Sequence, residues 1–503
     1  MGIRRRITWL VRKLIPQGKV AERTIKSGIW VSALNVGDRG LQLIMMIVLA
    51  RVLTPADFGL MGIALLTLGA MRQFSELGLE AALIQQSQEN VDSYLDTTWS
   101  LEIGRGLTMA TICFFGAPYI ASFFGEPRAL ELLQAIALAP LLYGLRNPAI
   151  IYFKKGLEFH KQFAYRMSGS MTNASIAIAY ALIFQSVWAL VLGYIAKEAM
   201  QMIVSYLMLD YRPRPRFDVP SATELIGYGK WITASSFLYF LYNKGDDAIV
   251  GRLLDASALG FYQMAYEFSN APATEVTSII SSVMFPAFSQ VQDDPERLRV
   301  AYYRTLQVTS FVAFPMAFGI AVVAPSFIEA FLGDAWLPMV TVMQILAAYG
   351  LFRSIGVTFS PVWKAIGRPD YITKLSFLRV VLMAIFIYPA TMTFGVEGTA
   401  LLIVGISIFP QIPIDIHLTV KSIESTYTRM LRELSYPLTA STLMATAVLL
   451  VETRLSVPWI MVEFFVLVGV GVIAYIVAAV LIWTLFDWQI QRNIRTIVKT
   501  VRG

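Results

Sequence analysis

The stretch RVLTPADFGLMG, Arg51 to Gly62, has a cousin two hundred residues later in RLLDASALGFYQ, Arg252 to Gln263. Laid gaplessly with a shift of 201 residues, Ser27-Gly28-Ile29-Trp30 falls on Tyr228-Gly229-Lys230-Trp231, Arg51 on Arg252, Leu53 on Leu254 and Gly59 on Gly260. The chain is therefore read as an internal repeat of two lobes. Six predicted membrane crossings separate the copies, so both enter from the same side and the repeat is parallel, with its pseudo-twofold axis along the membrane normal. PADFG and ASALG read as outer hairpins of the first two helices of each lobe, with Gly59 and Gly260 permitting the turn.

The crossings follow from composition. Of 503 residues, 56% are hydrophobic and 15% charged, against about 25% charged in soluble domains; the mean hydropathy is +0.60. An all-α polytopic membrane protein is expected. A hydrocarbon core of about 30 Å needs about 20 apolar residues per helix. Hydropathy with loop punctuation gives fourteen spans: 27–53, 58–85, 93–117, 129–153, 162–184, 187–209, 225–254, 258–286, 300–325, 337–361, 371–391, 396–418, 430–451 and 459–486. They compose an N-lobe at 27–210, a cytoplasmic linker at 211–222, a C-lobe at 223–420 and two further helices within 421–486, flanked by basic segments 1–26 and 487–503. Duplicated lobes around a central site are a transporter's architecture.

Orientation follows from loop charge. FKKGLEFHK (153–161), YRPRPRFD (211–218), DDPERLR (293–299), KAIGRPDYITK (364–374) and KSIESTYTRMLRE (421–433) alternate with loops whose only basic residues are Arg128 and Arg454. This bias puts both termini in the cytoplasm, as an even number of spans requires. QQSQENVD (85–92) carries no Lys or Arg and adds nothing to the argument. The start, MGIRRRITWLVRKLIPQGK, has no small-residue cleavage site. Its stripe of Ile3, Ile7, Leu10 and Leu14 fits an in-plane interfacial helix or a tail that enforces topology.

Ionisable groups inside spans cost about 2.5–3.5 kcal/mol on insertion scales and face a cavity or a partner. Arg39 lies roughly 13 Å above Trp30, near the midplane, while Asp38 points about 100° away, so the neighbours do not satisfy each other. NKGDD sets Lys244, Asp246 and Asp247 roughly 20–24 Å above Trp231. They form either a mixed-charge cavity wall with a carboxylate that couples transport to H⁺ or Na⁺, or an internal salt-bridge cluster. Arg146 and Arg353, from YGLR and YGLFR in the fourth helix of each lobe, are expected to face each other. Two planar guanidinium groups match the oxygens of a diphosphate; alternatively each caps a helix end or meets lipid headgroups. Arg166 and Arg379 echo each other in the fifth helices. Glu102 with Arg105, and Arg72 with Glu76, are spaced to pair on their own helices. Glu80, Glu267 and Glu275 receive no role.

Other chemistries find no support in the residues. His160 and His417 are the only histidines and lie far apart, which supports neither metal ligation nor an acid–base pair. Cys113, alone in an apolar run, reads as a small core residue. There is no phosphate-binding GxxxxGK[ST] loop, so ATP is not the direct energy source. Basic loops in a membrane protein signal orientation before nucleic-acid binding. Every predicted outer loop is under about a dozen residues, short for a membrane glycosyltransferase or polymerase.

At LARVLTPADFGLMGIA, LDTTWSLEIGRG, FFGEPRALELLQAIALAPLLYGLRNPA, the run from NKGDDAIVGRLLDASALG to DDPERLR, and AIGRPD, the chain resembles the lipid-linked oligosaccharide flippases of the polysaccharide branch of the multidrug/oligosaccharidyl-lipid/polysaccharide superfamily. The resemblance spans about residues 22 to 420. It implies alternating access of two lobes and inner-to-outer flipping of an undecaprenyl-diphosphate-linked sugar unit, for lipopolysaccharide or exopolysaccharide assembly, across a bacterial inner membrane. It also implies a cationic cavity for the head group, with other polysaccharide assembly proteins as partners. By depth, Arg39, Arg146, Lys244 and Arg353 are the head-group candidates, and Asp38, Asp246 and Asp247 the candidates for ion coupling or the cavity wall. An ion-coupled drug or cation antiporter of the same superfamily is the rival reading.

Overall fold

The computed structural model describes residues 20–75, 83, 88–218, 240–454 and 458–486. The expected basic segments up to residue 19 and beyond 486, Glu76, Glu80, the repeat positions 228–231 and the side chain of Glu275 lie outside this description. Among the described residues the chain is helical, without strands. Eight stretches of the described residues are long and apolar enough to cross a bilayer, nine when one bent pair counts as a span. Large apolar side chains such as Phe115, Ile183, Phe394, Phe465, Ile473 and Leu485 are more than half exposed. So much uncovered apolar surface belongs against lipid rather than water. The contacts divide the chain into two compact units, Met1–Lys244 with Asp255–Ser257, and Gly245–Leu254 with Ala258–Gly503.

Unit 1 contains α1 (Val20–Ala50), α2 (Pro55–Phe74), α3 (Gln88–Phe124), α4 (Ala129–Ile136), α5 (Leu138–Gly144), a 3₁₀ turn (Pro148–Ile150), α6 (Ile151–Lys155), α7 (Phe159–Phe184) and α8 (Trp188–Met208). The α1–α2 turn is made by a capping box. The Thr54 hydroxyl accepts from the Asp57 N–H at 3.3 Å while Asp57 Oδ2 accepts from the Thr54 N–H at 2.9 Å, and Pro55 opens the helix. This satisfies end groups that would otherwise be orphaned. Gly59 therefore does not make the turn, contrary to the sequence expectation. It lies inside α2, where a Cβ would come within 1.6 Å of the Ala256 carbonyl oxygen.

The expected fourth span, 129–153, is not one straight helix. The α4–α5 run and the Pro148–Lys155 run meet at a 69° bend. Pro148 disfavours helical backbone at the residue before it, and Asn147 is extended, with its side chain capping the Ala149 N–H at 3.1 Å. Fully buried Asn147 also receives Ser205 of α8 against its own N–H at 3.0 Å. The bend is thereby anchored to α8. At the end of α5, Gly144 lets α3 approach so closely that a Cβ there would lie 2.4 Å from the Glu102 carbonyl oxygen. YRPRPRFD runs extended along α3, its backbone pinned through Asp96, Thr97 and Ser100.

Unit 2 contains α9 (240–253, whose residues up to Lys244 group with unit 1), α10 (Ala256–Ser289, whose first residues also group with unit 1), α11 (Pro295–Phe327), a π turn (Ile328–Leu332), a 3₁₀ helix (Asp334–Met339), α12 (Val340–Ala365), α13 (Asp370–Ile406), a π turn (Ser407–Gln411), α14 (Ile412–Ser422), α15 (Tyr427–Glu452) and α16 (Ile460–Phe486). α13 folds back on itself at Gly395, φ +60°. The Thr391 and Thr399 hydroxyls meet at 2.7 Å, although eight residues of straight helix span about 12 Å. The expected break between spans eleven and twelve is therefore a hairpin. α15 and α16 pack on α11 through Ala440, Met444, Tyr475, Ala478 and Ile482, with Tyr475 donating to the Phe311 carbonyl at 2.8 Å.

Candidate functional site

Unit 1 contains a partly open cavity of about 370 Å³, lined by α1, α2, α3, α5, α6, α7, α8 and the bend between α5 and α6. Gly144 brings α3 against α5, and the bend frees Arg146 from regular helix. Tyr143 and Arg146, three apart, consequently meet charges from α2, α3 and α8. The Tyr143 ring carries three guanidinium groups, with centroid distances of 4.5 Å for Arg146, 4.8 Å for Arg72 and 5.7 Å for Arg105. The ring's negative face offsets their mutual repulsion.

Two of the three have carboxylate partners. Arg105 pairs with Glu102 at 2.7 Å, as the sequence spacing implied, and Arg146 pairs with buried Glu198 of α8. Arg72 instead lies beside the Tyr194 hydroxyl. Around the whole cavity five cationic side chains, Arg72, Arg146, Lys154, Arg166 and Lys197, face three acidic ones, Asp38, Glu102 and Glu198. Thr98 Oγ1 and Gln162 Oε1, buried in the same lining, have no hydrogen-bond partner among the described residues. The arrangement offers planar donors for an anion and unused polar atoms for a neighbouring hydroxylated group.

The seven residues selected from sequence divide between the units. In unit 1, Arg146 lines the cavity. Asp38 also lines it, accepting from Arg166 of α7 at 3.1 Å and from the Ser170 hydroxyl. Arg39, turned away from Asp38 by helix geometry, donates to Gln42 at 3.3 Å and is not part of the lining. Lys244, the last residue of the main unit 1 segment, is exposed. In unit 2, Asp246 and Asp247 are both 4% exposed. Asp246 accepts from Tyr262 at 2.6 Å, and the rings of Tyr262, Tyr266 and Tyr349 follow one another at 6.5 and 6.0 Å. Arg353 donates to Tyr266 at 2.9 Å and buried Arg379 to Tyr349 at 2.9 Å. A tyrosine ladder thus carries a carboxylate at one end, Arg353 at its middle ring and Arg379 at the other end.

Sequence reasoning did not find Arg72 as a cavity residue, nor Lys197 and Glu198. The last two were visible as adjacent charges in the apolar helix YIAKEAMQM. Tyr143 stood in the quoted YGLR, where its i,i+3 relation to Arg146 puts both on one side of a helix.

The polysaccharide biosynthesis protein family profile matches residues 48–341, more than half of the chain. The chain belongs to the polysaccharide biosynthesis protein family. Within it, the chain is 28% identical over 363 residues to the lipopolysaccharide biosynthesis protein WzxC of Escherichia coli (strain K12), covering 72% of this chain and 74% of that one. It is 26% identical over 353 residues to the succinoglycan biosynthesis transport protein ExoT of Rhizobium meliloti (strain 1021), covering 70% and 71%. Its fold is similar to that of the lipid II flippase MurJ in an inward closed conformation, with a TM-score of 0.74 at 14% identity over 92% of this chain and 100% of that one. At that identity the likeness concerns the fold alone. The resemblance stated from sequence holds at family level, and this polysaccharide biosynthesis protein is a membrane transporter, not an enzyme.

Proposed function

We propose that this transporter flips an undecaprenyl-diphosphate-linked oligosaccharide from the inner to the outer leaflet of a bacterial cytoplasmic membrane, by alternating access of two six-helix lobes, for lipopolysaccharide or exopolysaccharide assembly. The observation that carries the reading is the cationic surplus gathered on Tyr143 in the unit 1 cavity. Charge-assisted, planar donors are what phosphate oxygens select. Glu198 holds Arg146 in the way a phosphate would, so an arriving diphosphate exchanges with a carboxylate rather than meeting a bare charge. Thr98 and Gln162 face the first sugar, and the prenyl chain stays in lipid. Arg39, Lys244 and Arg353 serve the head group at other stages of the path. Asp38, Asp246 and Asp247 serve ion coupling by H⁺ or Na⁺. Fourteen spans with both termini in the cytoplasm, and contacts with other polysaccharide assembly proteins, belong to the same reading.

The names of the relatives support lipid-linked glycan transport, and the charge balance argues against an organic cation as cargo. The test is reconstitution of the full chain in liposomes with a fluorescent undecaprenyl-diphosphate-linked oligosaccharide in one leaflet. Protein-dependent appearance in the other leaflet is expected. Absence of flipping, together with proton-driven efflux of organic cations from the same vesicles, would transfer the assignment to an antiporter.

A further inference from the structure

Among its described residues, unit 2 holds a carboxylate with no counter-charge. Asp415 on α14 is 3% exposed, and one turn on Thr419 is fully buried with Oγ1 unpartnered. Flanking Ile416 and Val420 pack into an apolar cluster with Tyr302, Phe359 and Met430. Among the described residues Asp415 accepts no hydrogen bond and forms no ion pair. Tyr302 of α11 is the titratable group that faces it, and its hydroxyl is shared with Thr358 of α12 at 3.4 Å.

The charges on the packed helices are engaged elsewhere or turned outward. On α12, Arg353 donates to Tyr266 and Lys364 is exposed. On α15, Glu433 accepts from Gln307 at 2.6 Å, Arg429 stacks on Tyr303, Arg432 is exposed and Tyr427 bonds to His417 of α14 itself at 2.6 Å. Lys421, at the end of α14, is exposed.

An ionised carboxylate without partner or donor in such surroundings is so costly that the group neutralises instead. Yet Asp415 also lies in the first turn of α14, directly after the 407–411 break, where the helix N-terminus favours an anion. Burial retains the proton. The helix end receives the charge once water arrives. Asp415 is six residues, roughly 9 Å of helix, from the basic loop that begins at Lys421 and reads as cytoplasmic.

We propose that Asp415 is a proton-binding site. It is a carboxylic acid in this conformation; its O–H bond breaks and the proton passes to cytoplasmic water when the inner end of α14 parts from α11 and α12, and it binds a proton again on closure. This rests on the flippase reading and assigns H⁺ as its coupling ion.

Two measurements on the full chain in liposomes test it. Infrared spectra at neutral pH are expected to lose one protonated-carboxyl band in Asp415→Asn; an unchanged spectrum overturns the site. Flipping of the fluorescent diphosphate lipid is expected to be faster under an imposed pH gradient in the wild type, and Asp415→Asn is expected to keep the gradient-free rate and lose that acceleration. Asp415→Leu, which fills the apolar site, provides a second variant with the same expected loss. Wild-type flipping indifferent to the gradient, or variants accelerated like the wild type, overturn the coupling. A wild type that does not flip at all removes the flippase reading, while the infrared band still decides whether Asp415 holds a proton.

Discussion

Tyr143 organises the unit 1 cavity because one ring serves several cations at once, and among the described residues Arg72 forms no ion pair with a carboxylate. Arg72→Ala is expected to weaken binding of an undecaprenyl-diphosphate lipid roughly 10- to 100-fold, since a hydrogen bond to a charged group contributes about 1.5–3 kcal/mol. Fluorescence titration in micelles checks this, and wild-type affinity in the variant removes Arg72 from the head-group site. Glu198→Ala leaves the partly buried Arg146 without its anion, a loss that approaches the roughly 3–5 kcal/mol of a fully buried pair. The thermal midpoint should fall, and added diphosphate lipid should raise it more than in the wild type; equal shifts would mean Arg146 meets no phosphate. Arg146 was legible in the sequence because YGLR recurs as YGLFR. Arg72 was not, because Glu76, four residues on, offered a nearer partner than a tyrosine seventy-one residues away. Glu198 likewise meets Arg146 across fifty-two residues, a pairing that no local spacing encodes.

At the scale of elements, punctuation that acts locally was legible, and punctuation that acts through packing was not. The break at Gly395 follows from TFGVEG, and the Glu102–Arg105 pair from i,i+3 spacing. The bend at Asn147–Pro148 lay inside a stretch whose hydropathy reads as one span, and it matters because it delivers Arg146 to the cavity. Gly59 shows the same limit: the repeat marked it, but the backbone that crowds it comes from Ala256. Gly59→Ala is expected to destabilise unit 1 by about 1–3 kcal/mol through overpacking. Gly104→Ala, at an exposed helical position with open space around a Cβ, is expected to be neutral or to stabilise by up to about 1 kcal/mol through helix propensity. Thermal unfolding of the two variants in the same detergent compares them; a Gly59→Ala protein as stable as Gly104→Ala would show that α2 yields freely at that contact.

Across the whole molecule, composition alone assigned the chain to a bilayer, because 15% charged residues cannot cover a water-soluble surface of this size. The cavity's charge balance was beyond such a reading, since it depends on which of the scattered intramembrane charges the fold brings together. Orientation is the remaining whole-molecule property, and the basic loops predict it. Cys113, the single cysteine, is fully buried, so the native chain should not react with a membrane-impermeant maleimide. One cysteine at a time can then report sidedness from exposed positions: Arg128→Cys in the loop between α3 and α4, and Asp293→Cys in the loop between α10 and α11. Intact cells should label Arg128→Cys alone, and Asp293→Cys should label only after permeabilisation. The reverse pattern would turn the chain over and place its basic loops outside. Labelling of both in intact cells would mean that the helices between them do not cross the membrane in the number the loop charges require.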